Sequence, residues 1–235
     1  MSAPVQTMAE ETPVIDGSPL AGPYIGDINA THRFVHPRMF RSDFVEFFSK
    51  VHPAVPGILF VPVVGFFAWR SATLAGAPLM AGTLLGGFLF WTLMEYVLHR
   101  FYFHLAPTTN LRKWLYFYSH GIHHQYPDDY YRLLMPPILS VGAGSLFYGL
   151  FALLLPATVV PGLFAGLLLG YLYYDYVHFA THHVKPPRAA WLSPIANLMK
   201  EQRRRHMKHH FQDHTKGFGV SMPLWDRVFG TLEDR

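Results

Sequence analysis

The amino-acid sequence predicts an all-α integral membrane protein with four transmembrane helices. Its 235 residues are 51% hydrophobic and only 14% charged, whereas about a quarter of the residues are charged in an ordinary soluble domain. Long uncharged runs alternate with basic segments, and most of the histidines lie in the basic segments. A chain of this length is expected to form one domain.

The first 37 residues are predicted to be disordered or peripheral. Residues 1–31 are polar and lack a basic segment followed by an apolar core, so they do not resemble a secretory signal peptide. Residues 32–50 mix aromatic and charged side chains and predict a short amphipathic helix at the membrane surface. Three histidines in this region have no ligand-like spacing and are interpreted as interfacial residues: His32, His36 and His52.

Three uncharged runs are long enough to cross a membrane. They cover residues 51–69, 71–94 and 133–174. A span needs about 20 apolar residues, because a helix rises about 1.5 Å per residue across about 30 Å of hydrocarbon. The first two runs therefore hold one span each, and the third holds two that are divided near Pro156 and Pro161. The predicted spans are 53–74, 77–98, 134–155 and 158–177.

The basic residues predict the orientation of these spans. Of the 19 Lys and Arg residues, only Arg70 falls in a loop after an odd-numbered span. The others lie in the N-terminal region, in the loop 99–132 or in the tail from residue 178, and the positive-inside rule places these segments in the cytoplasm. An even number of spans also puts all the clustered histidines on that side. The net charge of +4 is therefore explained by the basic residues of the cytoplasmic segments rather than by nucleic-acid binding.

Clustered histidines predict a metal centre. An H-x-x-H-H motif occurs twice, at 120–124 and at 206–210. Positions i, i+3 and i+4 share one face of a helix, so each motif can direct its imidazoles to one region. Two histidine pairs follow predicted spans: His99 with His104, and His178 with His182. Neutral imidazole suits iron, zinc and copper, and ten such groups exceed the ligands of one tetrahedral ion. Two metal ions with about five ligands each are expected.

Other residues limit the kind of metal site. Cysteine is absent, which excludes thiolate ligands and a disulfide framework, and the motifs differ from the Glu-x-x-His pairs of ferritin-like sites. Metal-bound histidines usually donate their other ring N–H to an acceptor. Glu95 and Asp175, three or four residues before a histidine pair, are predicted to be such acceptors. His183 and His214 are interpreted as lying outside the ligand set.

A membrane metal transporter is the alternative outside the enzymes. It predicts ionisable residues along a path at bilayer depth. The uncharged runs have almost none, and the clustered histidines lie outside them. The sequence therefore favours an enzyme.

The histidine motifs follow one another as H-x-x-x-x-H, H-x-x-H-H, H-x-x-x-H and H-x-x-H-H. This order resembles the fatty acid hydroxylase superfamily of integral membrane di-metal enzymes. Sterol desaturases and carotenoid hydroxylases share such motifs, but the Gly-Phe-Gly and Trp-Asp-x-x-Phe-Gly-Thr ending looks like the fatty acid 2-hydroxylases that act on sphingolipids. The resemblance covers roughly residues 38–232 and is strongest in residues 40–44, 98–101, 132–137, 174–175, 216–220 and 224–231.

The resemblance implies four membrane helices under a cytosolic helical cap that encloses two metal ions. It assigns residues 38–235 to a fatty acid hydroxylase domain. The ions are expected to be iron, although zinc can occupy such sites, and O₂ would be the co-substrate. The ligands carried over by position are His99, His104, His120, His123, His124, His178, His182, His206, His209 and His210.

The resemblance also implies an activity. The expected reaction is hydroxylation of a lipid acyl chain at C2, either of a fatty acid or of the amide-linked acyl group of a ceramide. Asp175 and Tyr174 are expected to orient the carbonyl or to hold a ligand. A sterol desaturase or hydroxylase, or a carotenoid hydroxylase, is the closest alternative.

Electrons are expected to come from a separate protein. Some members of the superfamily carry an N-terminal haem-binding carrier domain, for which the region before the first predicted span is too short and too polar. The donor would be a cytochrome-type or ferredoxin-type protein. The basic run 203–205 is interpreted either as its docking surface or as a contact with anionic lipid headgroups. The expected location is the endoplasmic reticulum or the bacterial inner membrane, with the site on the cytoplasmic face.

Overall fold

The computed structural model describes residues 38–40 and 42–233, and every element of secondary structure from residue 42 to residue 233 is a helix. The prediction of an all-α fold is confirmed, while the predicted peripheral segment 1–37 lies outside the described residues. The α-helices in the described part are α1 (Asp43–Phe48), α2 (Ala54–Leu98), α3 (Asn110–Tyr116), α4 (Ile122–Gln125), α5 (Pro137–Leu154), α6 (Val160–His183), α7 (Ser193–Phe211) and α8 (Leu224–Phe229).

Helix α2 is folded back on itself at Gly76. This residue has φ +76° and ψ 165°, a conformation that glycine adopts without steric cost. Ser71 and Thr83 lie on either side of it, and both of their hydroxyl oxygens closely approach the position that a Cβ on Gly162 would take. Twelve residues of straight helix would separate them by about 18 Å. The two halves, 54–75 and 77–98, correspond to the first two predicted spans.

A row of glycines brings α6 into backbone contact with the second half of α2. Gly162, Gly166 and Gly170 are spaced four residues apart, and a Cβ on Gly166 would lie 2.0 Å from the carbonyl oxygen of Leu84. Small residues at this spacing allow membrane helices to approach closely. Most residues of α6 are buried, so α6 is the central helix of the bundle.

The second half of α2 and α6 run in the same direction. Gly162 approaches Thr83, and Gly170 approaches Trp91. The first half of α2 runs the opposite way, because Phe60 packs on Tyr171 with a ring-centroid distance of 5.4 Å while the earlier Gly57 reaches the later Tyr176. The C-terminal ends of α2 and α6 therefore lie at the same end of the bundle, and histidines follow or complete both helices.

Helix α5 completes the bundle beside α6. Tyr148 packs on Phe164 with a ring-centroid distance of 5.1 Å, and Gly144 approaches Leu168, so the two helices are antiparallel. Two helical segments among the described residues are long and apolar enough to cross a membrane, Ala54–Phe103 and Pro137–Leu154. The first has 50 residues, more than twice the length of one span.

Two π-helical turns carry histidines at the functional end of the bundle. They are His99–Phe103, directly after α2, and Phe117–Gly121, directly after α3. In the first turn the backbone N–H of His104 donates to the carbonyl oxygen of His99, five residues earlier. An α-helix would place positions i and i+5 about 140° apart, whereas the wider π turn brings the two rings together. Short π-helical segments are frequent at functional sites.

The amphipathic segment predicted near residues 32–50 is represented by α1. Ser42 caps its N-terminus by accepting from the backbone N–H of Val45. Phe44 and Phe47 are each more than 70% exposed, whereas the carboxylate of Glu46 is buried on the opposite side. Such a division of apolar and polar faces suits a helix that lies in the membrane interface.

Candidate metal centre

Ten histidines meet at the C-terminal ends of α2 and α6 in two groups of five. Within each group, one ring nitrogen from every histidine lies within 4.8 Å of the others. The first group is His99, His104, His120, His124 and His209. The second group is His123, His178, His182, His206 and His210. The structure therefore brings together all ten residues that the sequence singled out, and their role as metal ligands stays a prediction.

Each H-x-x-H-H motif contributes to both groups. On α7, His206 and His210 enter the second group, whereas His209 enters the first. In the motif at 120–124 the outer two histidines belong to the first group and His123 belongs to the second. Positions i and i+4 of a helix lie on nearly the same side of its axis, while i+3 is displaced to the other side. One motif can therefore serve two adjacent centres.

The distances between ring nitrogens fit two metal ions. In the first group the Nε2 atom of His104 is 2.9 Å from that of His209 and 3.3 Å from that of His99. In the second group the Nε2 atoms of His206 and His182 are 2.9 Å apart. A metal–nitrogen bond is about 2.1 Å long, so two nitrogens at right angles on one ion are about 3.0 Å apart.

The protonation of the rings supports the same conclusion. The Nδ1 atoms of His99 and His209 each lie 2.6 Å from a carbonyl oxygen, of Phe218 and Lys216 respectively. A carbonyl oxygen only accepts, so these Nδ1 atoms carry the hydrogen. In the neutral imidazole the Nε2 atom then presents a bare lone pair, and several bare lone pairs in close contact require a cation between them. The residues present fit a metal ion.

Burial keeps the histidines neutral. Burial lowers the pKa of His123 and of His206 well below its usual value, and neighbouring imidazoles lower it further because they would add like charge. Burial also lowers the pKa of His209 to about 4, although its hydrogen bond to the carbonyl of Lys216 acts in the opposite direction. Neutral imidazole is the form that binds metals.

The two predicted carboxylate acceptors have different surroundings from those expected. Glu95 accepts hydrogen bonds from the backbone N–H of Ser221 (2.8 Å) and from its hydroxyl, rather than from a histidine. Side chains on a helix lean towards its N-terminus, so Glu95 points away from His99. Asp175 is buried, and its Oδ2 atom has no hydrogen-bond partner among the described residues. Sequence spacing therefore did not identify the groups that accept from the histidine Nδ1 atoms, which are the backbone carbonyl oxygens of Lys216 and Phe218.

A cavity of about 290 Å³ adjoins both groups. His120 of the first group and His123 and His178 of the second line its wall, together with Tyr174 and Asp175. Most of the remaining wall is apolar. A small-molecule site typically combines an apolar wall with a few polar groups that fix orientation. The carboxyl group of Asp175 is one such group.

His183 and His214 lie outside both groups, and the interpretation that they are not metal ligands stays a prediction. The ring of His183 packs on those of Tyr130 and Phe179, with centroid distances of 5.2 and 4.9 Å. The ring of His214 is stacked 6.2 Å from that of His104. Both flank the centre.

The sequence has the pattern of a known family. Residues 84–231 match the family model of the fatty acid hydroxylases. The chain belongs to the fatty acid hydroxylase family. The resemblance that was predicted from the histidine motifs and from the C-terminal ending is therefore confirmed.

Curated relatives in this family include enzymes from plants, mammals and fungi. The dihydroceramide fatty acyl 2-hydroxylase FAH1 of Arabidopsis thaliana is 37% identical over 198 residues, which cover 83% of this chain and 80% of the relative. The fatty acid 2-hydroxylase of Mus musculus is 38% identical, and the match covers 83% of this chain but 56% of the relative. The ceramide very long chain fatty acid hydroxylase SCS7 of Saccharomyces cerevisiae is 34% identical over 96% of this chain and 65% of its own length.

A solved structure has the same fold. It is that of full-length scs7p, in which only the hydroxylase domain is visible, and it superimposes with a TM-score of 0.79 at 34% identity. The match covers 88% of this chain and 76% of that one. The fold of this fatty acid hydroxylase is therefore that of a known hydroxylase domain.

Proposed function

We propose that this protein is a membrane enzyme that adds a hydroxyl group to C2 of a lipid acyl chain, of a free fatty acid or of a ceramide. The observation that carries the proposal is the pair of five-histidine groups beside one apolar cavity. The names of the relatives support the same reaction, since they are 2-hydroxylases of fatty acids and of dihydroceramide acyl groups. Residues 38–235 form the hydroxylase domain in this proposal.

The ten histidines hold two iron ions in the proposed enzyme, five ligands to each ion. Zinc would also fit, because imidazole binds both metals. When bound, the iron pair supplies the activation of O₂, the co-substrate. The overall reaction balances with two electrons and two protons from outside: one oxygen atom enters the C–H bond and the other leaves as water.

The protein positions the acyl chain and excludes water. Tyr174 and Asp175 line the cavity beside His178, and the buried Oδ2 atom of Asp175 has no hydrogen-bond partner among the described residues. An amide N–H or a hydroxyl beside the acyl carbonyl would donate to this oxygen. The interaction would hold the carbon next to the carbonyl close to the histidine groups, and fixed positioning contributes strongly to catalysis. The apolar remainder of the wall would bind the hydrocarbon chain.

Four membrane spans under a cytosolic helical cap form the proposed topology. The two halves of α2, together with α5 and α6, correspond to the four stretches that the sequence predicted as spans. The histidines gather at one end of this bundle, together with α4 and α7. Basic residues are concentrated in the loop 99–132 and in the tail from residue 178, which carry these histidines, and this favours the cytoplasmic side.

A separate cytochrome-type or ferredoxin-type protein delivers the electrons in this proposal. Of the basic run 203–205, Arg204 is exposed and pairs with Glu201 on the surface of α7 (2.6 Å), whereas Arg205 is buried. Arg203 is half-buried. The available docking charge on this face is therefore smaller than the three arginines suggest.

Lipid mass spectrometry of cells that express the protein tests the proposal. The expected result is a gain of one oxygen in amide-linked or free acyl chains, located at C2 by fragmentation. A His182→Ala variant, expressed at the same level, should give none of this product. Hydroxylation of a sterol or a carotenoid, or no oxidised lipid, would contradict the proposed substrate class.

A further inference from the structure

The segment 216–222, between α7 and α8, forms a strap across the first histidine group. Its carbonyl oxygens at Lys216 and Phe218 accept hydrogen bonds from the Nδ1 atoms of His209 and His99. The ring of Phe218 is 4% exposed and lies 5.6 to 5.7 Å from the rings of His99, His104 and His209. All of these histidines belong to the first group.

Asp226 of α8 fixes the strap from one side. Its carboxylate accepts hydrogen bonds from the backbone N–H of Phe218 (2.9 Å) and of Gly219 (2.8 Å). The hydroxyl of Thr231 donates to the same carboxylate at 2.8 Å. Asp226 is 1% exposed, so these bonds are made away from bulk water, where charge-assisted hydrogen bonds are strong.

Glu95 and Gln202 fix the strap from the other side. The Glu95 carboxylate accepts from both the backbone N–H and the hydroxyl of Ser221. The Gln202 side-chain amide donates to the carbonyl oxygen of Ser221 at 2.9 Å. Glu95 lies in the last turn of α2, four residues before His99 of the π-helical turn that continues it, and Gln202 lies two turns before His209 on α7. The strap is thus bonded to the same helices that carry the two histidines it orients.

The second histidine group has a different environment. The Nδ1 atoms of its members His206 and His210 are buried and have no hydrogen-bond partner in the described part of the chain. As in the first group, the Nε2 contacts run between members of the same group: His178 with His123, His206 with His182, and His210 with His206. The two groups therefore share the same ligand type but differ in what orients the rings.

We propose that Asp226 and Glu95 are positioning residues for the first metal site, which depends on the strap, while the second site does not. Hydrogen bonds to a ligand imidazole set its tautomer and orientation, and their removal weakens metal binding about 10- to 100-fold. The strap supplies this support to His99 and His209. The inference rests on the proposed two-metal function.

Zinc titration of the metal-stripped protein tests the proposal. The wild-type protein in detergent is titrated with Zn²⁺ alone against a competing chelator, and bound metal is counted by elemental analysis. Asp226→Asn keeps the shape of the side chain but replaces one acceptor oxygen with an amide that cannot accept. The expected result is one site of unchanged affinity and one that is weakened about 10- to 100-fold.

Paired variants show which site is affected. His182→Ala removes a ligand from the second group, so the addition of Asp226→Asn should then weaken the remaining tight site about 10- to 100-fold. His104→Ala removes a ligand from the first group and leaves the second group as the tight site. The addition of Asp226→Asn should then leave the zinc affinity of that tight site unchanged. Glu201→Gln, on the exposed face of α7, is the matched control and should retain both sites.

Several outcomes would overturn the inference. The inference is contradicted if Asp226→Asn weakens zinc binding equally at both sites, and also if it weakens binding at neither site. If Asp226→Asn does not fold, Ser221→Ala decides: this variant loses only the hydroxyl bond to Glu95, and an unchanged first site in the folded variant also contradicts the inference. A wild-type protein that does not bind two ions would instead refute the proposed two-metal function.

Discussion

Arg132 and Glu46 form a buried ion pair although 86 residues separate them in the chain. The Arg132 guanidinium also donates to Asp129 at 2.6 Å, and the three side chains are nearly inaccessible to solvent. Burial by itself raises the pKa of Glu46, but the hydrogen bond from Lys50, the charge of Arg132 and two backbone N–H groups outweigh it and lower the pKa. The pair joins α1 to the segment before α5, at the wall of the cavity.

Replacement of Arg132 with Met should destabilise the protein strongly. The variant leaves the carboxylates of Glu46 and Asp129 without their main cation, and removal of one partner from a buried ion pair costs about 3–5 kcal/mol. The free energy of unfolding in detergent measures this. Arg204→Met is the matched control, because its pair with Glu201 is exposed and such pairs contribute about 0–1 kcal/mol. Equal effects of the two variants would contradict the structural role of the buried pair.

The helices could be predicted from the sequence because an uncharged run of about 20 residues has the length and composition of a membrane-spanning helix. The ten histidines could be chosen because their spacings repeat. The fold of α2 at Gly76 could be placed only approximately, since Arg70 and Gly76 both lie close to the boundary between the first two predicted spans. A glycine followed closely by Pro78 was the signal for it.

Other features depend on tertiary contacts that spacing does not encode. The division of each H-x-x-H-H motif between two groups requires the relative positions of α4, α6 and α7. The π turn after α2 decides that His99 and His104 meet, and nothing in the sequence distinguishes it from an α-helical turn. Glu95 was assigned to a histidine because it lies one turn away, but its partner Ser221 is 126 residues distant.

Replacement of Gly166 with Ala should disrupt the bundle. The added methyl group would lie 2.0 Å from the carbonyl oxygen of Leu84, so the backbones of α2 and α6 must separate. Overpacking of this kind costs about 1–3 kcal/mol or more. Gly142→Ala on α5 is the control, since a Cβ there meets none of the described residues within 4 Å and alanine is the better helix former by about 1 kcal/mol. Thermal unfolding should show a lower Tm for the first variant and an unchanged or higher Tm for the second.

The stability of the metal-stripped protein should fall as the pH decreases from 7.5 to 5.5. Burial keeps the pKa of His123 and of His206 well below 6.5 in the folded state, whereas an unfolded histidine binds a proton near pH 6.5. The unfolded state therefore binds more protons below this pH, and stability decreases as the pH falls. Each such group contributes up to about 1.4 kcal/mol per pH unit.

The pH dependence of Tm measures this effect. His206→Ala should show a shallower slope, because it removes one of the groups that take up a proton on unfolding. A Tm that stays constant between pH 7.5 and pH 5.5 would mean that the folded and unfolded states bind the same number of protons in this range. The rings would then have the same pKa in both states, which contradicts their burial in the structure.

Replacement of Asp175 with Asn should reduce hydroxylation without loss of metal. Asp175 lines the cavity and lies outside both histidine groups, and its buried Oδ2 atom has no hydrogen-bond partner among the described residues. An ordinary hydrogen bond contributes about 0.5–1.5 kcal/mol, so kcat/KM should fall about 2- to 13-fold. Product formation by mass spectrometry and metal content by elemental analysis are measured on the same samples.

A tyrosine pair on the same helix provides the matched test of this cavity. Tyr174 lines the wall beside His178, whereas the hydroxyl of Tyr176 donates to the carbonyl oxygen of Pro53 at 3.1 Å and does not line the cavity. Tyr174→Phe should lower kcat/KM if its hydroxyl helps to orient the acyl carbonyl, and Tyr176→Phe should leave it unchanged at equal metal content. Equal activity of the two variants would remove Tyr174 from the proposed orienting groups, and metal loss in Asp175→Asn would reassign Asp175 to the support of a ligand histidine.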